Sequence, residues 1–361
     1  MAIQPVAGVP LAPLTTIGVG GAAQWFVRAT TAEEVADAHA WSEREGLPLF
    51  VLAGGSNVVI ADAGIPGLVV RMAIGGTEFR RSGGDTIVSA GAGEPWDALV
   101  QAAVNRGLAG IECLSGIPGS VGGTPIQNVG AYGQDVANVI QDVTAFDRAS
   151  RELVVIAGSD CGFAYRTSRF KQEDAFRFVV CGVSFRLRPG VPTVTYPDVV
   201  TLLEQQGSSA PTVTDVRDAV LTTRRRKGMV LDAADPDTRS VGSFFTNPVV
   251  GAGMHARMVS DSREPVPGFA AGAGRVKMSA AWLIERAGYT RGHRAGAVGL
   301  SSKHPLAIVN HGGATARDVL ECAAQIKRAV IDRFGIWLTP EPAFVGLDDE
   351  PVVAYLKKGS E

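Results

Sequence analysis

Two glycine-rich segments constrain the fold of this chain more than any other feature of its sequence. The first, Ala53–Asn57, follows a short apolar run, and the second, GIPGSVGG, spans Gly116–Gly123. Backbone of this kind can direct several N–H groups at a phosphate or another polar ligand. Neither segment matches a Walker loop or the G-x-G-x-x-G fingerprint that opens a dinucleotide-binding helix. The first segment alone is more typical of a plain turn, but together they predict a nucleotide-type ligand bound by some other fold.

The composition excludes several classes of protein. Of the 361 residues, 46% are hydrophobic and 19% are charged, which excludes a disordered or fibrous chain. The formal net charge of −2 provides no global field for nucleic acid or an anionic membrane. The N-terminal residues lack the basic start of a signal peptide, and no apolar run approaches the roughly 20 residues of a membrane span. We therefore expect a cytoplasmic protein without membrane insertion and without a nucleic acid partner.

Cysteine and histidine spacing predicts neither a disulfide scaffold nor a metal site. The cysteines are too few for a disulfide framework in a chain of this length, and they show no paired metal-ligand spacing. The histidines form no i, i+4 pair with a helper acid, so we assign no metal. The residues concerned are Cys113, Cys161, Cys181, Cys322, His39, His255, His293, His304 and His311.

Hydrophobic periodicity predicts an α+β chain. Thr31 with Glu34 forms the signature of a capping box, which predicts a helix from Thr31 to Gly46. A hairpin is expected about Gly83-Gly84-Asp85, within a largely antiparallel middle section. A helix is predicted over Val213–Arg226, and apolar spacings of three and four predict another over Thr315–Phe334. The acidic stretch Asp232–Asp237 between them is interpreted as a connection at a domain boundary.

Three further strings have side chains suited to chemistry. Arg166, beside Tyr165, has the forked donor geometry that matches a carboxylate or phosphate. Ser243, in Gly242–Pro248, lies between a glycine and two aromatic residues, where a hydroxyl can deliver a proton if something accepts the charge left behind. Glu341 is held between two prolines. Each also has a plain interpretation, namely a surface arginine, a turn before a strand and an exposed loop acid.

Taken together, these strings resemble the UDP-N-acetylenolpyruvoylglucosamine reductase (MurB) family. The resemblance implies an α+β protein with an FAD-binding two-subdomain fold of the vanillyl-alcohol-oxidase type and an additional α+β substrate-binding domain. The implied domains are 1–80 and 81–226 for the two FAD-binding subdomains and 227–361 for the substrate-binding domain. The matching strings occur in the family's order over nearly the whole chain: Thr15–Gly21, Gly54–Asn57, Gly116–Gly123, Asn128–Gly133, Tyr165–Ser168, Gly242–Pro248 and Pro340-Glu341.

The activity implied by the resemblance is NADPH-dependent reduction of an enolpyruvyl ether through FAD. The substrate is UDP-N-acetylglucosamine enolpyruvate, a nucleotide sugar, and the product is UDP-N-acetylmuramate, a peptidoglycan precursor. In the implied ping-pong scheme the hydride passes from NADPH through FAD to the methylene carbon, and Ser243 supplies the proton for the neighbouring carbon. A monomer is expected.

The resemblance also assigns roles to individual residues. Arg166 and Glu341 activate the substrate carboxylate and stabilise the enol, and together with Ser243 they form the implied catalytic set. The implied substrate contacts are Tyr165, Tyr196, Lys227 and Asn247. The implied FAD contacts are Gly54, Gly55, Ser56, Asn57, Gly116, Ile117, Pro118, Gly119, Ser120, Gly122, Gly123, Asn128, Gly130, Ala131 and Tyr132.

Two alternatives stay open at the level of sequence. One is another FAD-dependent oxidoreductase of the same fold that oxidises an alcohol or a sugar, in which Ser243 and Glu341 are incidental. The other is a nucleotide-sugar-binding protein without catalysis. Retention of both glycine-rich segments together with Arg166, Ser243 and Glu341 favours the reductase, because a pure binder needs no proton donor.

Overall fold

The computed structural model describes residues 3–208 and 210–359, which fall into two units. The N-terminal unit comprises the chain up to Pro10, Ala22–Gly55 and Ile65–Val230. The C-terminal unit comprises Leu11–Gly21, Ser56–Gly64 and the chain from Leu231 onward. Two short pieces from the first 64 residues therefore belong to the C-terminal unit, although each predicted domain is continuous in sequence. The division of the N-terminal unit into two subdomains near residue 80 stays a prediction.

A mixed four-stranded sheet lies in the first part of the N-terminal unit. The strand order is Val6–Pro10, Ala22–Ala29, Ile65–Met72 and Leu49–Leu52. The first pair is antiparallel and the other pairs are parallel. The predicted helix is present as Ala32–Arg44, and Thr31 accepts a hydrogen bond from Glu34 N at 3.2 Å. The Glu34 carboxylate accepts from Thr30 N at 2.6 Å, one residue before the partner predicted for the capping box.

A larger antiparallel sheet forms the second part of this unit. The predicted hairpin about Gly83-Gly84-Asp85 and the antiparallel middle section are both confirmed. The Trp96 ring packs against Phe185 with centroids 5.7 Å apart, and its Nε1 donates to Leu114 O at 3.0 Å. The strand order is Glu152–Ala157, Ile140–Asp147, Phe178–Pro189, Asp85–Gly91 and Thr77–Ser82, with Leu108–Ala109 paired to Phe178–Pro189 and a separate ribbon of Gly130–Ala131 and Gln134–Asp135.

The helices of the N-terminal unit include the predicted helix Val213–Arg226, with Thr212 and Asp215 forming a capping box. Arg217 of this helix, itself buried, binds the Asp97 carboxylate with both terminal nitrogens, at 2.7 and 2.8 Å. Its last residues lead into Lys227. The other α-helices are Trp96–Val104, Thr124–Gln127 and Pro197–Gln205, and the 3-10 turns are Glu112–Leu114, Val121–Gly123, Val136–Asn138, Gly158–Asp160 and Arg169–Lys171.

The C-terminal unit is built on its own apolar core around the predicted long helix Ala316–Phe334. A capping box of Thr315 and Asp318 begins this helix, and Gly335, with φ 67°, ends it. Asp62 also accepts from Ala316 N at 2.7 Å, which binds the segment Ser56–Gly64 to this unit.

Short strands and helices surround this helix. The sheets are Val249–Gly251, Arg275–Met278 and Gly268–Ala270; Arg294–Ala295, Val298–Leu300 and Ile308–Asn310; and the parallel pair Val58–Ile60 and Ala343–Val345. The helices are Ala252–Asp261, Ala280–Arg286 and Pro351–Lys357, with 3-10 turns Ala12–Leu14 and Pro236–Thr238. Within residues 3–208 and 210–359, no helix combines the length and the apolar character needed to cross a bilayer.

Candidate active site

The two glycine-rich segments, far apart in sequence, form one continuous backbone surface in the N-terminal unit. A Cβ built on Gly54 would lie 2.4 Å from Gly119 Cα and 2.8 Å from Ser120 N. Only glycine at position 54 permits this approach, because ordinary carbon contacts lie near 3.5–4.0 Å. Gly55 and Gly119 have φ of 69° and 125°, in the region that favours glycine. We call Gly54–Gly55 with Gly116–Gly123 the glycine surface.

Side chains from the surrounding elements fix the ends of the glycine surface. Arg71 donates from Nη1 to Ala53 O, directly before Gly54. The Asp97 carboxylate accepts from Gly116 N at 2.6 Å, and the same carboxylate is held by Arg217. A bare backbone is flexible by itself, so these bonds are what keep its N–H groups in place.

The glycine surface has an unused polar group and open space beside it. Ser120 Oγ is buried and has no hydrogen-bond partner among the described residues. A buried hydroxyl without a partner is costly, by about 1–3 kcal/mol, unless something else satisfies it. A Cβ built on Gly123 would meet nothing within 4 Å. The surface therefore fits a ligand that presents hydrogen-bonding atoms to a glycine backbone, as the phosphates and ring edge of a flavin nucleotide do.

Three of the predicted site residues adopt left-handed backbone conformations that non-glycine residues rarely occupy. Asn128, Tyr132 and Arg166 have φ of 47°, 50° and 56°. Asn128 is held by bonds to Ala137 N at 3.1 Å and Ala164 O at 3.0 Å. Arg166 donates to the carbonyls of Asn128 and Gly130. Strained backbone persists only where surrounding bonds enforce it, and such strain concentrates at functional sites.

Tyr132, Tyr196 and Lys227 form a second group in the same unit, the tyrosine–lysine cluster. The two rings meet edge to face with centroids 5.0 Å apart, and Lys227 Nζ lies 5.9 Å from each centroid. Lys227 Nζ also binds Asp198 Oδ2 at 2.8 Å. Burial lowers the pKa of Lys227, but the hydrogen bond to Asp198 and the neighbouring charges outweigh it, so the pKa lies above its ordinary value. Tyr132, predicted as a flavin contact, thus lies with two predicted substrate contacts.

In the C-terminal unit the structure brings together Asn57, Ser243 and Glu341. Glu341 N donates to Phe244 O at 2.8 Å, so the strings that contain Ser243 and Glu341 lie side by side. Asn57 Nδ2 donates to Glu341 O at 3.4 Å, and Asn57 O accepts from Ala343 N at 3.0 Å. Three segments from distant parts of the sequence, which contain Asn57, Ser243 and Glu341, are therefore joined through their backbones.

His304 is a neighbour of Ser243 that the sequence gives no reason to select. Its Nε2 lies 3.4 Å from Ser243 Oγ. The contact joins residues 61 positions apart, and no local spacing relates the two. An i, i+4 pair of histidines indicates a metal site on a helix, but such spacing does not reveal a loop contact of this kind.

Three further predicted residues, Asn247, Ser56 and Tyr165, have partners within their own units. Asn247 Oδ1 accepts from Ala280 N at 2.9 Å, which fixes the plane of its amide at the start of a helix. Ser56 O accepts from Thr16 Oγ1 at 3.4 Å. The ring of Tyr165 is half exposed and lies 5.4 Å from the Arg166 guanidinium. No group of three or more His, Cys, Asp and Glu residues arranged to hold a metal ion occurs in the described part of the chain.

The predicted site residues divide between the two units. Those in the C-terminal unit are Ser56, Asn57, Ser243, Asn247 and Glu341. Those in the N-terminal unit are Gly54, Gly55, Gly116, Ile117, Pro118, Gly119, Ser120, Gly122, Gly123, Asn128, Gly130, Ala131, Tyr132, Tyr165, Arg166, Tyr196 and Lys227.

Comparison with known protein families gives two matches along this chain. Residues 235–345 match the C-terminal domain of UDP-N-acetylenolpyruvoylglucosamine reductase. Residues 23–156 match an FAD binding domain. The FAD binding domain match includes the whole glycine surface, and the reductase C-terminal domain match includes Ser243 and Glu341.

Similar proteins extend over nearly the whole chain. The UDP-N-acetylenolpyruvoylglucosamine reductase of Thermobifida fusca is 47% identical, over 94% of this chain and 97% of that protein. The protein of the same name from Streptomyces coelicolor is 45% identical, over 96% of this chain and 91% of that protein. The crystal structure of the Thermus caldophilus reductase is 26% identical with a TM-score of 0.64, covering 95% of this chain and 98% of that chain. The predicted FAD-binding α+β fold class is confirmed by this structure and by the domain match.

Proposed function

The chain belongs to the UDP-N-acetylenolpyruvoylglucosamine reductase family, and from this premise we propose that it reduces UDP-N-acetylglucosamine enolpyruvate to UDP-N-acetylmuramate with FAD and NADPH. The observation that carries the proposal is that hydrogen bonds join the segments containing Ser243, Glu341 and Asn57 in the C-terminal unit. These segments carry a hydroxyl and a carboxyl group suited to proton transfer, which a protein that only binds a nucleotide sugar does not need.

The glycine surface is proposed to hold FAD. Its backbone N–H groups suit the pyrophosphate, and the buried Ser120 Oγ suits a polar atom of the cofactor. The chemistry that FAD supplies when bound is storage of a hydride between NADPH and the enolpyruvyl double bond. Arg71 and Asp97 act on the backbone of this surface, so we assign them a supporting role.

The tyrosine–lysine cluster is proposed to bind the diphosphate of the substrate. Lys227 is a cation on a half-buried stem, and burial raises the pKa of the Tyr132 phenol, which therefore stays neutral and can donate a hydrogen bond. Because Asp198 already neutralises part of the lysine charge, an arriving diphosphate competes with this carboxylate. The competition favours a doubly charged ligand over a single carboxylate.

Arg166 and Glu341 are proposed to act on the carboxylate of the enolpyruvyl group. Addition of hydride to the methylene carbon builds negative charge on this carboxylate and on the carbon beside it, so fixed donors there lower the barrier. The guanidinium of Arg166 is held in advance by two backbone carbonyls, which supports such a role. The carboxyl group of Glu341, in its protonated form, is proposed to stabilise the enol.

Ser243 is proposed to donate the proton that completes the reduction. The hydride carries two electrons to the methylene carbon, and the proton from Ser243 Oγ forms the new C–H bond at the neighbouring carbon. The half-buried position of Ser243 beside Phe244 and Phe245, both buried, limits access of competing water.

We further propose that the protein works as a monomer in the cytoplasm. The four cysteines, Cys113, Cys161, Cys181 and Cys322, are all buried as free thiols, which is compatible with a reducing compartment.

Analysis of the product tests the proposed function. The FAD-loaded protein is mixed anaerobically with NADPH and UDP-N-acetylglucosamine enolpyruvate, and we expect UDP-N-acetylmuramate in an amount equal to the NADPH consumed. UDP-N-acetylglucosamine, which lacks the enolpyruvyl group, is the matched control and should leave NADPH unchanged. Binding of the nucleotide sugar without turnover contradicts the proposal and favours a non-catalytic protein. Turnover of alcohols or sugars alone favours another flavin oxidoreductase.

A further inference from the structure

The contact between Ser243 and His304 bears on a difficulty in the proposed chemistry. A serine hydroxyl is a poor acid, so an alkoxide left at Ser243 needs a stabilising partner. His304 Nε2 lies 3.4 Å from Ser243 Oγ, and both side chains are half buried in the C-terminal unit. This distance is that of a long hydrogen bond between the ring nitrogen and the oxygen from which the proton departs, and catalytic hydrogen bonds are often long before substrate binds.

The direction of this hydrogen bond follows from the valence of the hydroxyl. Ser243 Oγ has one proton to give and lone pairs with which to accept. If that proton is directed at the substrate, then His304 must be the donor, and Nε2 must carry hydrogen. A donor aimed at Oγ becomes stronger as negative charge grows there, because a hydrogen bond to an ionised acceptor is about twice as strong as a neutral one.

The acidic stretch Asp232–Asp237 fixes the loop that contains His304. From sequence, this stretch was interpreted only as a connection at a domain boundary. Asp237 is buried and accepts from Ser302 N at 2.9 Å and from Ser302 Oγ at 2.6 Å. Lys303 Nζ binds Asp235 Oδ2 at 2.6 Å. The stretch Asp232–Asp237 therefore does more than join two domains, since it anchors both residues that precede His304.

Two further bonds set His304 in register with Ser243. Ser301 Oγ accepts from His304 N at 3.2 Å, which caps the turn from within. Phe244 N donates to Leu306 O at 2.8 Å and joins the string that contains Ser243 to the end of the loop. One backbone bond thus joins the segment that contains Ser243 to the loop that contains His304, and one side-chain bond fixes that loop itself.

We infer that His304 is a positioning residue for the proposed proton donor: its Nε2–H donates to Ser243 Oγ, directs the serine proton toward the substrate and stabilises the alkoxide that remains. In this proton transfer the O–H bond of Ser243 breaks, the proton joins the substrate carbon, and the oxygen keeps the electron pair. The hydrogen bond from His304 stabilises the charged oxygen until solvent returns a proton. The inference rests on the proposed function, because Ser243 loses its proton only if the enolpyruvyl ether is reduced.

The first test observes the hydrogen on Nε2 without any turnover. Nitrogen-15 NMR of histidine-labelled, FAD-loaded protein reports which ring nitrogens are protonated, and the signal lost in His304→Gln identifies His304. We expect hydrogen on Nε2, and we expect its signal to move in Ser243→Ala. A His304 Nε2 that carries no hydrogen overturns the inference, because the histidine would then accept the serine proton instead of leaving it for the substrate.

The second test separates the two half-reactions by stopped flow. In His304→Ala we expect flavin reduction by NADPH to be unchanged and reoxidation by the enolpyruvyl substrate to be roughly 10²- to 10³-fold slower, as for loss of one donor to an oxyanion. His304→Gln keeps an amide donor and should recover most of the rate. His293→Ala, which removes a half-buried histidine outside this loop, is the control and should behave as wild type.

A double variant distinguishes failure of this inference from failure of the proposed function. If His304 acts through Ser243, then Ser243→Ala with His304→Ala reoxidises no more slowly than Ser243→Ala alone. A wild-type protein that the substrate cannot reoxidise refutes the proposed function. If the substrate reoxidises the wild-type protein, and Ser243→Ala slows this reoxidation but His304→Ala does not, then only the role of His304 is refuted.

Discussion

Substitution of Gly54 by alanine tests the glycine surface most sharply. The added methyl group would lie 2.4 Å from Gly119 Cα and 2.6 Å from Gly119 C. Ordinary carbon contacts begin near 3.5 Å, so the two segments must separate by about 1 Å. The obstructing atoms are backbone, which cannot turn aside as the end of a flexible side chain can. Overpacking of this kind costs about 1–3 kcal/mol, equivalent to a decrease in Tm of about 2–12 °C.

The same displacement should weaken FAD binding. Separation of the segments moves backbone donors away from the cofactor, and loss of one hydrogen bond to a charged group costs about 1.5–3 kcal/mol. The Kd for FAD should therefore rise by about 10- to 150-fold. Titration of the apoprotein with FAD, followed by quenching of flavin fluorescence, measures this affinity, and a thermal melt measures the Tm.

Gly84→Ala is the matched control for Gly54→Ala. Gly84 lies in an exposed hairpin turn, and a Cβ built there meets nothing within 4 Å. This variant should keep the wild-type free energy of unfolding to within a few tenths of a kcal/mol, together with the wild-type FAD affinity. If Gly54→Ala also keeps both, the two glycine-rich segments do not meet to form the cofactor surface.

Three further predictions concern the proton donor, the substrate cluster and the acid stability of the fold. Ser243→Ala should leave flavin reduction by NADPH intact and slow reoxidation by the substrate by roughly 10²- to 10⁴-fold in stopped-flow traces; equal loss in both half-reactions would contradict its role. Lys227→Met should raise the KM for the nucleotide sugar by about 10- to 100-fold with little change in flavin reduction, and an unchanged KM would remove Lys227 from the substrate site. Hydrogen bonds from Arg177 lower the pKa of Asp147 to about 2 from an ordinary value near 3.9. Asp147 therefore stabilises the fold above about pH 4, and this contribution is lost as pH falls toward 2. Asp147→Asn should flatten the loss of stability between about pH 4 and pH 2 in urea unfolding, and an unaltered pH profile would show that the ion pair contributes nothing.

Local sequence signals predicted the elements whose causes are local. The helix Val213–Arg226 was predicted with its observed bounds, and the structure shows that Thr212 and Asp215 form a capping box at its start. The helix Ala252–Asp261 has no side-chain cap and no acid in its first turn, so the usual start signals are missing and it was not predicted. The hairpin about Gly83-Gly84-Asp85 was predicted because turn residues interrupt the stretch Phe79–Ala92.

The arrangement of the site depends on contacts that no local pattern contains. Asn57 and Glu341 are 284 positions apart, yet their bond helps to assemble the proposed acid–base group. Asp237, a buried aspartate, helps to hold the loop that contains His304 beside Ser243. Local residue chemistry and the family resemblance both selected Ser243 and Glu341, but neither indicated His304 or Asp237.

The anaerobic absorbance spectrum of the purified protein tests the central claim most directly. A flavin spectrum should bleach on addition of NADPH and return on addition of UDP-N-acetylglucosamine enolpyruvate, but not on addition of UDP-N-acetylglucosamine. These two absorbance changes would establish both half-reactions in one cuvette. A protein that bleaches and is not recoloured by the enolpyruvyl substrate, or a colourless protein that takes up no FAD, would contradict the proposed reductase.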